Sequence, residues 1–418
     1  MQWLPWVVAG AIIVRLFAQV ILTRLNASET VRHRAAIPEA FQGVMDEPAY
    51  HKSVDYTLAK GRLSIVDDVL SAAVLALVLF SGALPAAWHC WINLTGSTAA
   101  WSGALFLIVI SLVLALPGVP LEWWAQFRLE ARFGFNRSTL RLWLVDKLKA
   151  GILGLGLGFP LLWLLFKLVE WIGPWWWLYG WAVFFAFQLL MLVLYPMLIL
   201  PWFNRLTPLP EGDLRTRLLD LADRARFQAK TIQVMDGSKR SGHSNAFFTG
   251  FGRFRRIVLF DTLMQQLEPT ELEAVLAHEI GHYKLGHVPR MLLVSAVSTL
   301  AMFGLVGWLT GTPAFFAAFG FSATHVAVAL LLLMLVAGPF TFWVAPLTNF
   351  FSRRHEFQAD AFARGAIGSF APMIGALRKL TRENLSNLTP HLLFSAFYYS
   401  HPTLAERERA LRAAPADQ

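Results

Sequence analysis

His278-Glu279-Ile280-Gly281-His282 sets two imidazoles at i and i+4, on one face of a helix, with a carboxylate next to the first. Two such imidazoles can share one zinc ion, and Glu279 can take a proton from a water activated there, which is the chemistry of metal-assisted hydrolysis. With 11 His and 27 acidic residues in 418, chance supplies the string roughly 0.02 times per chain, so it is read as a site and not as an ordinary amphipathic helix. Catalytic zinc takes three protein ligands and keeps a position open. The single cysteine, Cys90, excludes both an internal disulfide and a cysteine-rich metal site. A metzincin-type third ligand needs glycine at 285 and histidine at 288, where the chain has Leu285 and Val288. His287 is out of that register and is read as an interfacial histidine. Glu356 is the better third ligand. Asp360 lies one turn further on the same face, placed to accept from the free ring N–H of a zinc histidine, while His355 points elsewhere as a bystander.

A protease must also hold an extended peptide. The strand Asn245 to Thr249 could offer an open edge for backbone pairing through Ala246 and Phe247, with Asn245 as a polar contact; a purely structural hairpin is an equal reading. Near the C-terminus, His401 and Arg407 are candidate donors to the oxyanion of a tetrahedral intermediate. Arg407 also belongs to the charge run Glu406 to Arg409, and on spacing alone a structural role is slightly favoured.

These residues need a scaffold, and 56% hydrophobic against 15% charged residues does not describe a soluble one, where about 25% are charged. Seven apolar runs are long enough to span a bilayer as helices: 3–22, 69–91, 101–121, 151–172, 174–200, 288–310 and 322–348. The first has no basic start and no convincing cleavage site, so it reads as a retained anchor. Residues 1–200 then form five spans with cytoplasmic loops 23–68 and 122–150. Residues 201–287 and 349–418 make two parts of a cytoplasmic zincin-type catalytic domain, interrupted by the spans in 288–348. Of 36 Lys and Arg, 34 fall on one side of these spans, which places the N-terminus outside and the catalytic side in the cytoplasm. The formal charge of +9 thus records orientation and not a nucleic-acid partner. Two spans separate His282 from Glu356, so both motifs return to one side, as a shared metal requires. Arg15 and the pair Lys167 and Glu170 are the charges left inside spans; the pair reads as simple pairing or snorkelling. Within 201–287, Asp213 to Phe227 reads as an amphipathic helix and Thr231 to Met235 as a strand. Asn245 to Thr249 and Arg255 to Phe260 read as a hairpin around a turn at 250–253, and Pro269 opens the motif helix.

The chain resembles the type I CAAX prenyl endopeptidases, integral-membrane zinc metalloproteases. The resemblance rests on Tyr50 to Gly61, Glu130 to Thr139, Trp202 to Gly212, Ser244 to Gly250, His278 to His282, Arg354 to Asp360 and His401 to Arg407, seven motifs in order. It implies a mainly α polytopic fold, a barrel of seven helices around an intramembrane chamber, closed by the catalytic domain with its small sheet. It also implies one Zn2+ held by His278, His282 and Glu356, Glu279 as general base, and Asn245, His401 and Arg407 lining the substrate site. The chamber gives Arg15 something to face. The expected partners are the bilayer and a peptide or protein substrate, prenylated if the family's substrate applies; oligomeric state is open. Arg outnumbers Lys 27 to 9, which suggests a bacterial host and its inner membrane, with the endoplasmic reticulum as the eukaryotic counterpart. A bacterial quality-control protease without a prenyl requirement is then the alternative. A seven-span transporter or receptor with structural zinc, and a pseudoenzyme scaffold, are further readings. The chain's last residues, Pro415 to Gln418, are not a prenylation signal.

Overall fold

The computed structural model describes residues 1–227, 231–249 and 256–413; the expected turn at 250–253, Arg255 and the terminal Pro415 to Gln418 lie outside the described residues. Helices dominate. By length and hydropathy, six helical segments can cross a membrane: Leu4–Arg32, Glu47–Phe80, Ala100–Phe133, Leu140–Phe203, His287–Thr310 and Val326–Ile367. The fourth is 64 residues long and contains two of the apolar runs, 151–172 and 174–200. Gly173, with φ +69°, separates its helices Leu140–Ile172 and Trp176–Leu194, which pack on each other.

The run at 69–91 is not one helix. Glu47–Phe80 stops at Ser81, Gly82 turns into the left-handed region at φ +80°, and Ala83–Thr95 begins anew. The segments read as loops at 23–68 and 122–150 are largely helical. The first helix continues to Arg32, and the second already starts at Glu47, capped by Asp46, whose carboxylate accepts from Ala49 N at 2.8 Å. The third runs through a π-turn at Ala125–Glu130 to Phe133, and Thr139 caps the next helix. Hydropathy marks only the part of a helix that meets lipid, so polar extensions escape it.

The apolar faces of these helices point outward. Phe17, Leu77, Leu148 and Leu293 are each about two-thirds exposed, which only a lipid solvent makes favourable. Inside, Val8, Trp88, Phe106, Phe166, Phe303 and Leu331 belong to one buried cluster. Lys167 pairs with Glu170 at 2.6 Å on the surface, as simple pairing requires. Arg15 faces protein: its guanidinium lies 5.8 Å from the centre of the Phe342 ring, and its Nε is buried without a hydrogen bond.

The polar part is built on a four-stranded sheet in the order β1-β2-β4-β3. Its strands are β1 (Leu206–Pro208), β2 (Ile232–Met235), β3 (Ala246–Thr249) and β4 (Arg256–Phe260). β3 and β4 pair antiparallel as expected, with Ala246 opposite Leu259, while β2 runs parallel to β4. The amphipathic helix Asp213–Arg224 ends three residues short of its expected end, where Arg226 takes φ +49°. Its Leu218 and Leu221 join Ile232, Ile257 and Leu259 of the sheet and Leu272, Leu276 and Ile280 of the HExxH helix in one core. That burial fixes the HExxH helix on the sheet.

Candidate active site

The HExxH helix, Pro269–Lys284, starts on a capping box in which Glu268 and Glu271 satisfy each other's backbone N–H, with Pro269 in the first turn. Glu271 is further tied to Lys379 Nζ at 2.8 Å. The helix Ala345–Ile367 packs closely against it. The approach is set by Gly281: a Cβ there would fall 3.2 Å from both Cα and O of Ala359. Backbone therefore meets backbone between the two histidines of one helix and the two carboxylates of the other.

At this contact His278 Nε2 and His282 Nε2 stand 3.2 Å apart. Glu356 brings Oε1 to 3.2 Å from His282 Nε2 and Oε2 to 3.4 Å from His278 Nε2. A tetrahedral ion with donors at about 2.0–2.1 Å spaces them about 3.3 Å apart. The donor set also fits chemically. Two imidazole nitrogens and a carboxylate face one point, His278 and Glu356 are buried, and Glu356 Oε2 is a buried oxygen with no hydrogen bond. Such an oxygen is costly unless a cation satisfies it.

Each histidine has a partner for its other nitrogen. Asp360 Oδ1 lies 2.9 Å from His278 Nδ1, the contact its spacing suggested. Burial pushes the His278 imidazolium down, but the carboxylates of Asp360 and Glu356 outweigh it and hold the pKa at about 9 in the metal-free site. His282 Nδ1 lies 2.9 Å from His287 Nδ1, and His287 Nε2 lies 3.0 Å from Gln358 Oε1. His287 is thus no interfacial residue: it is 1% exposed, inside the protein beside His282. His355 is no bystander either, since its ring stacks on His287 with centroids 4.1 Å apart. Register argued against His287 as a ligand and hid its role beside one. The need of every metal histidine for a second partner was the available signal.

Arg407 is buried, with its fork turned to Asp360: Nε donates to Oδ2 at 2.8 Å and Nη2 to Oδ1 at 2.5 Å. Nη1 comes within 3.7 Å of Glu356 Oε2. His401 approaches from the open side, its Nε2 3.5 Å from Glu356 Oε1 and its Nδ1 2.9 Å from Ser400 Oγ. Glu279, half-buried, follows His278 on the helix and lies within electrostatic reach of Arg407.

β3 is an edge strand that packs beside the HExxH helix. Phe260 N donates to Asn245 O at 3.2 Å, so the antiparallel alternation turns the backbone groups of Ala246 and Phe248 outward. Asn245 is exposed, and its Oδ1 accepts from Ala246 N at 2.8 Å. Phe247 packs beneath the sheet among Met235, Val258 and Leu200, so its side chain serves the core.

Comparison with known proteins agrees along the whole chain. Residues 26–205 match the family described as CAAX prenyl protease N-terminal, five membrane helices, and residues 208–414 match peptidase family M48. CAAX prenyl protease 1 of Saccharomyces cerevisiae is 34% identical, over 90% of this chain and 88% of the relative. The human homologue is 31% identical, over 90% of this chain and 88% of its own length. The crystal structure of Ste24p from S. mikatae superposes with a TM-score of 0.90 at 33% identity, covering 97% of this chain and 98% of that one. The matches cover both parts of the chain, and the chain belongs to the CAAX prenyl protease 1 family of M48 metalloendopeptidases.

Proposed function

We propose that the protein is a zinc endopeptidase that removes the C-terminal tripeptide of prenylated CAAX proteins at the cytoplasmic face of its membrane. The observation that carries the chemistry is the donor cluster of His278, His282 and Glu356, in which the two imidazole nitrogens lie 3.2 Å apart, each has a different Glu356 oxygen at 3.2 to 3.4 Å, and one of those buried oxygens lacks a hydrogen bond. The relatives' names supply the substrate. Zinc held there would lower the pKa of a water and polarise the scissile carbonyl. Glu279 takes the proton as the water attacks and returns it to the leaving amine, so no covalent enzyme intermediate forms. The substrate backbone pairs with the open edge of β3 through the Ala246 carbonyl, and Asn245, which takes the Ala246 N–H, orders the start of that edge.

His401 is the donor to the developing oxyanion. The role needs the tautomer in which the Ser400 hydroxyl, 2.9 Å from Nδ1, donates to it, which leaves the proton of the neutral ring on Nε2. Arg407 acts through Asp360 as a positioning residue: it fixes the carboxylate that orients His278.

The same reading takes Leu140–Phe203 as two spans turned at Gly173, giving seven in all. These form a barrel around a chamber, with the N-terminus outside and the polar domain on the cytoplasmic side, where 34 of the 36 basic residues lie. Matched farnesylated and unmodified CAAX peptides, incubated with the purified protein with and without a zinc chelator, test the assignment. Chelator-sensitive cleavage that favours the farnesylated peptide is the expected result. Equal rates for the two peptides overturn prenyl recognition, and cleavage in full chelator overturns the metal.

A further inference from the structure

A cavity of about 750 Å³ opens beside the metal site and runs from His401 to the second membrane helix, Glu47–Phe80. That volume is in the range of ligand sites, about 300–1,000 Å³. Beside apolar groups such as Leu388, Phe394 and Leu404, its polar lining is one-sided in charge. It contains hydroxyls, three asparagine amides and two histidines, but no Asp or Glu among the described residues; its one permanently charged residue is Lys60.

Lys60 is exposed to the cavity and lies within electrostatic reach of Glu130. Its ammonium lies 5.0 Å from the centre of the Tyr56 ring, and it makes no ion pair with any described residue. Glu130 feels the Lys60 charge, but both of its oxygens have other hydrogen-bond partners. Tyr56 Oη donates to Glu130 Oε1 at 2.7 Å, and His243 Nε2 lies 3.3 Å from Glu130 Oε2. His243 is itself fixed, with Nδ1 3.0 Å from Asn384 Oδ1 and its ring stacked on Phe135 at 3.9 Å. This network joins the Lys60 helix to the chain just before β3, the strand whose open edge faces substrate. The cavity lining thus includes His243, two residues before Asn245, together with His401 beside the metal site and the exposed Lys60 ammonium.

We propose that Lys60 binds the free C-terminal carboxylate of the peptide substrate, so that the cavity takes the residues beyond the scissile bond and measures their distance from the chain end. The inference rests on the tripeptide-releasing reading above. A lining that mixes apolar side chains such as Leu388, Phe394 and Leu404 with hydroxyls, amides and one cation, and holds no acid, suits an apolar tripeptide ending in an anion and penalises a chain that continues as neutral amide.

The test compares a farnesylated CAAX peptide with its C-terminal amide on the zinc-loaded full-length protein, and calorimetric binding of the released tripeptide acid with that of its amide. The wild type should favour the acid by about tenfold or more in kcat/KM, chiefly through KM, as expected for a hydrogen bond to a charged group. In Lys60→Met the acid-to-amide ratio should fall to about one, and Lys60→Arg should keep most of it. Rising ionic strength should shrink the wild-type ratio, an arm that needs no variant. Equal wild-type handling of acid and amide overturns the proposal, as does a Lys60→Met protein that slows both alike with its ratio intact. If the wild type cleaves neither peptide yet binds the tripeptide acid above the amide through Lys60, the CAAX reading fails and the carboxylate site stands.

Discussion

Gly281 and Ala359 touch backbone to backbone, and a Cβ on Gly281 would sit 3.2 Å from both the Cα and the carbonyl oxygen of Ala359. The contact lies between His278 and His282 on one helix and between Glu356 and Asp360 on the other, so the spacing of the metal donors depends on it. Gly281→Val should force the helices apart, costing about 1–3 kcal/mol of stability by overpacking and abolishing stoichiometric zinc. Gly281→Ala should retain part of both. Metal content and thermal unfolding in detergent check this; full zinc in the valine variant contradicts it.

Asp360 is 1% exposed, and its charge is balanced by the Arg407 fork. Removing either partner leaves the other buried without its main counter-charge, Asp360 with only His278 and Arg407 with only the more distant Glu356, a loss of about 3–5 kcal/mol. Arg407→Lys keeps the charge but not the paired geometry, so it should restore little. Were Arg407 chiefly an oxyanion donor, its loss would lower kcat and leave zinc affinity unchanged. The expected outcome is a fall in zinc affinity of about 10–100-fold, read by competition with a chelator.

His287 supports His282 from the far side, at 2.9 Å, and is held in turn by Gln358. His287→Ala should weaken zinc by about 10-fold or more and leave the order of substrate preference intact. An unchanged zinc affinity would return His287 to a packing role.

The metal-free site should respond to pH through His278, whose pKa is raised from 6.5 to about 9 by Asp360 and Glu356 against the cost of burial. A raised folded-state pKa gives stability that is fully present below about 6.5 and is lost as pH rises through about 9. Zinc needs the deprotonated ring, so its apparent affinity should climb across the same window. Unfolding of chelated protein at pH 6.5 and pH 9 checks the first point, and zinc titration at both checks the second. Chelated protein that is no less stable at pH 9 contradicts the assignment.

The first-rank site was legible because its information is local. The i, i+4 histidines, the neighbouring Glu279 and the one-turn step from Glu356 to Asp360 are helix geometry, and an even number of crossings between them put both helices on one side. The Arg407 fork on Asp360, and the stack of His355 on His287 with Gln358 beyond, are contacts across the fold, and no spacing encodes them. The spans were legible as lipid-facing runs, yet helices continue well past them, to Arg32 and from Glu47, where polar residues erase the hydropathy signal. The break at Gly82 inside the expected second span depends on a backbone conformation that composition does not report. Strand β1, three residues ending in Pro208, is too short for alternation to reveal.

The central claim is that Glu279 moves the proton and that His278, His282 and Glu356 hold the metal. Glu279→Gln should bind one zinc per chain with near wild-type affinity while losing cleavage of a farnesylated CAAX peptide by several orders of magnitude. Cleavage at a wild-type rate in that variant, with zinc bound, would contradict the account.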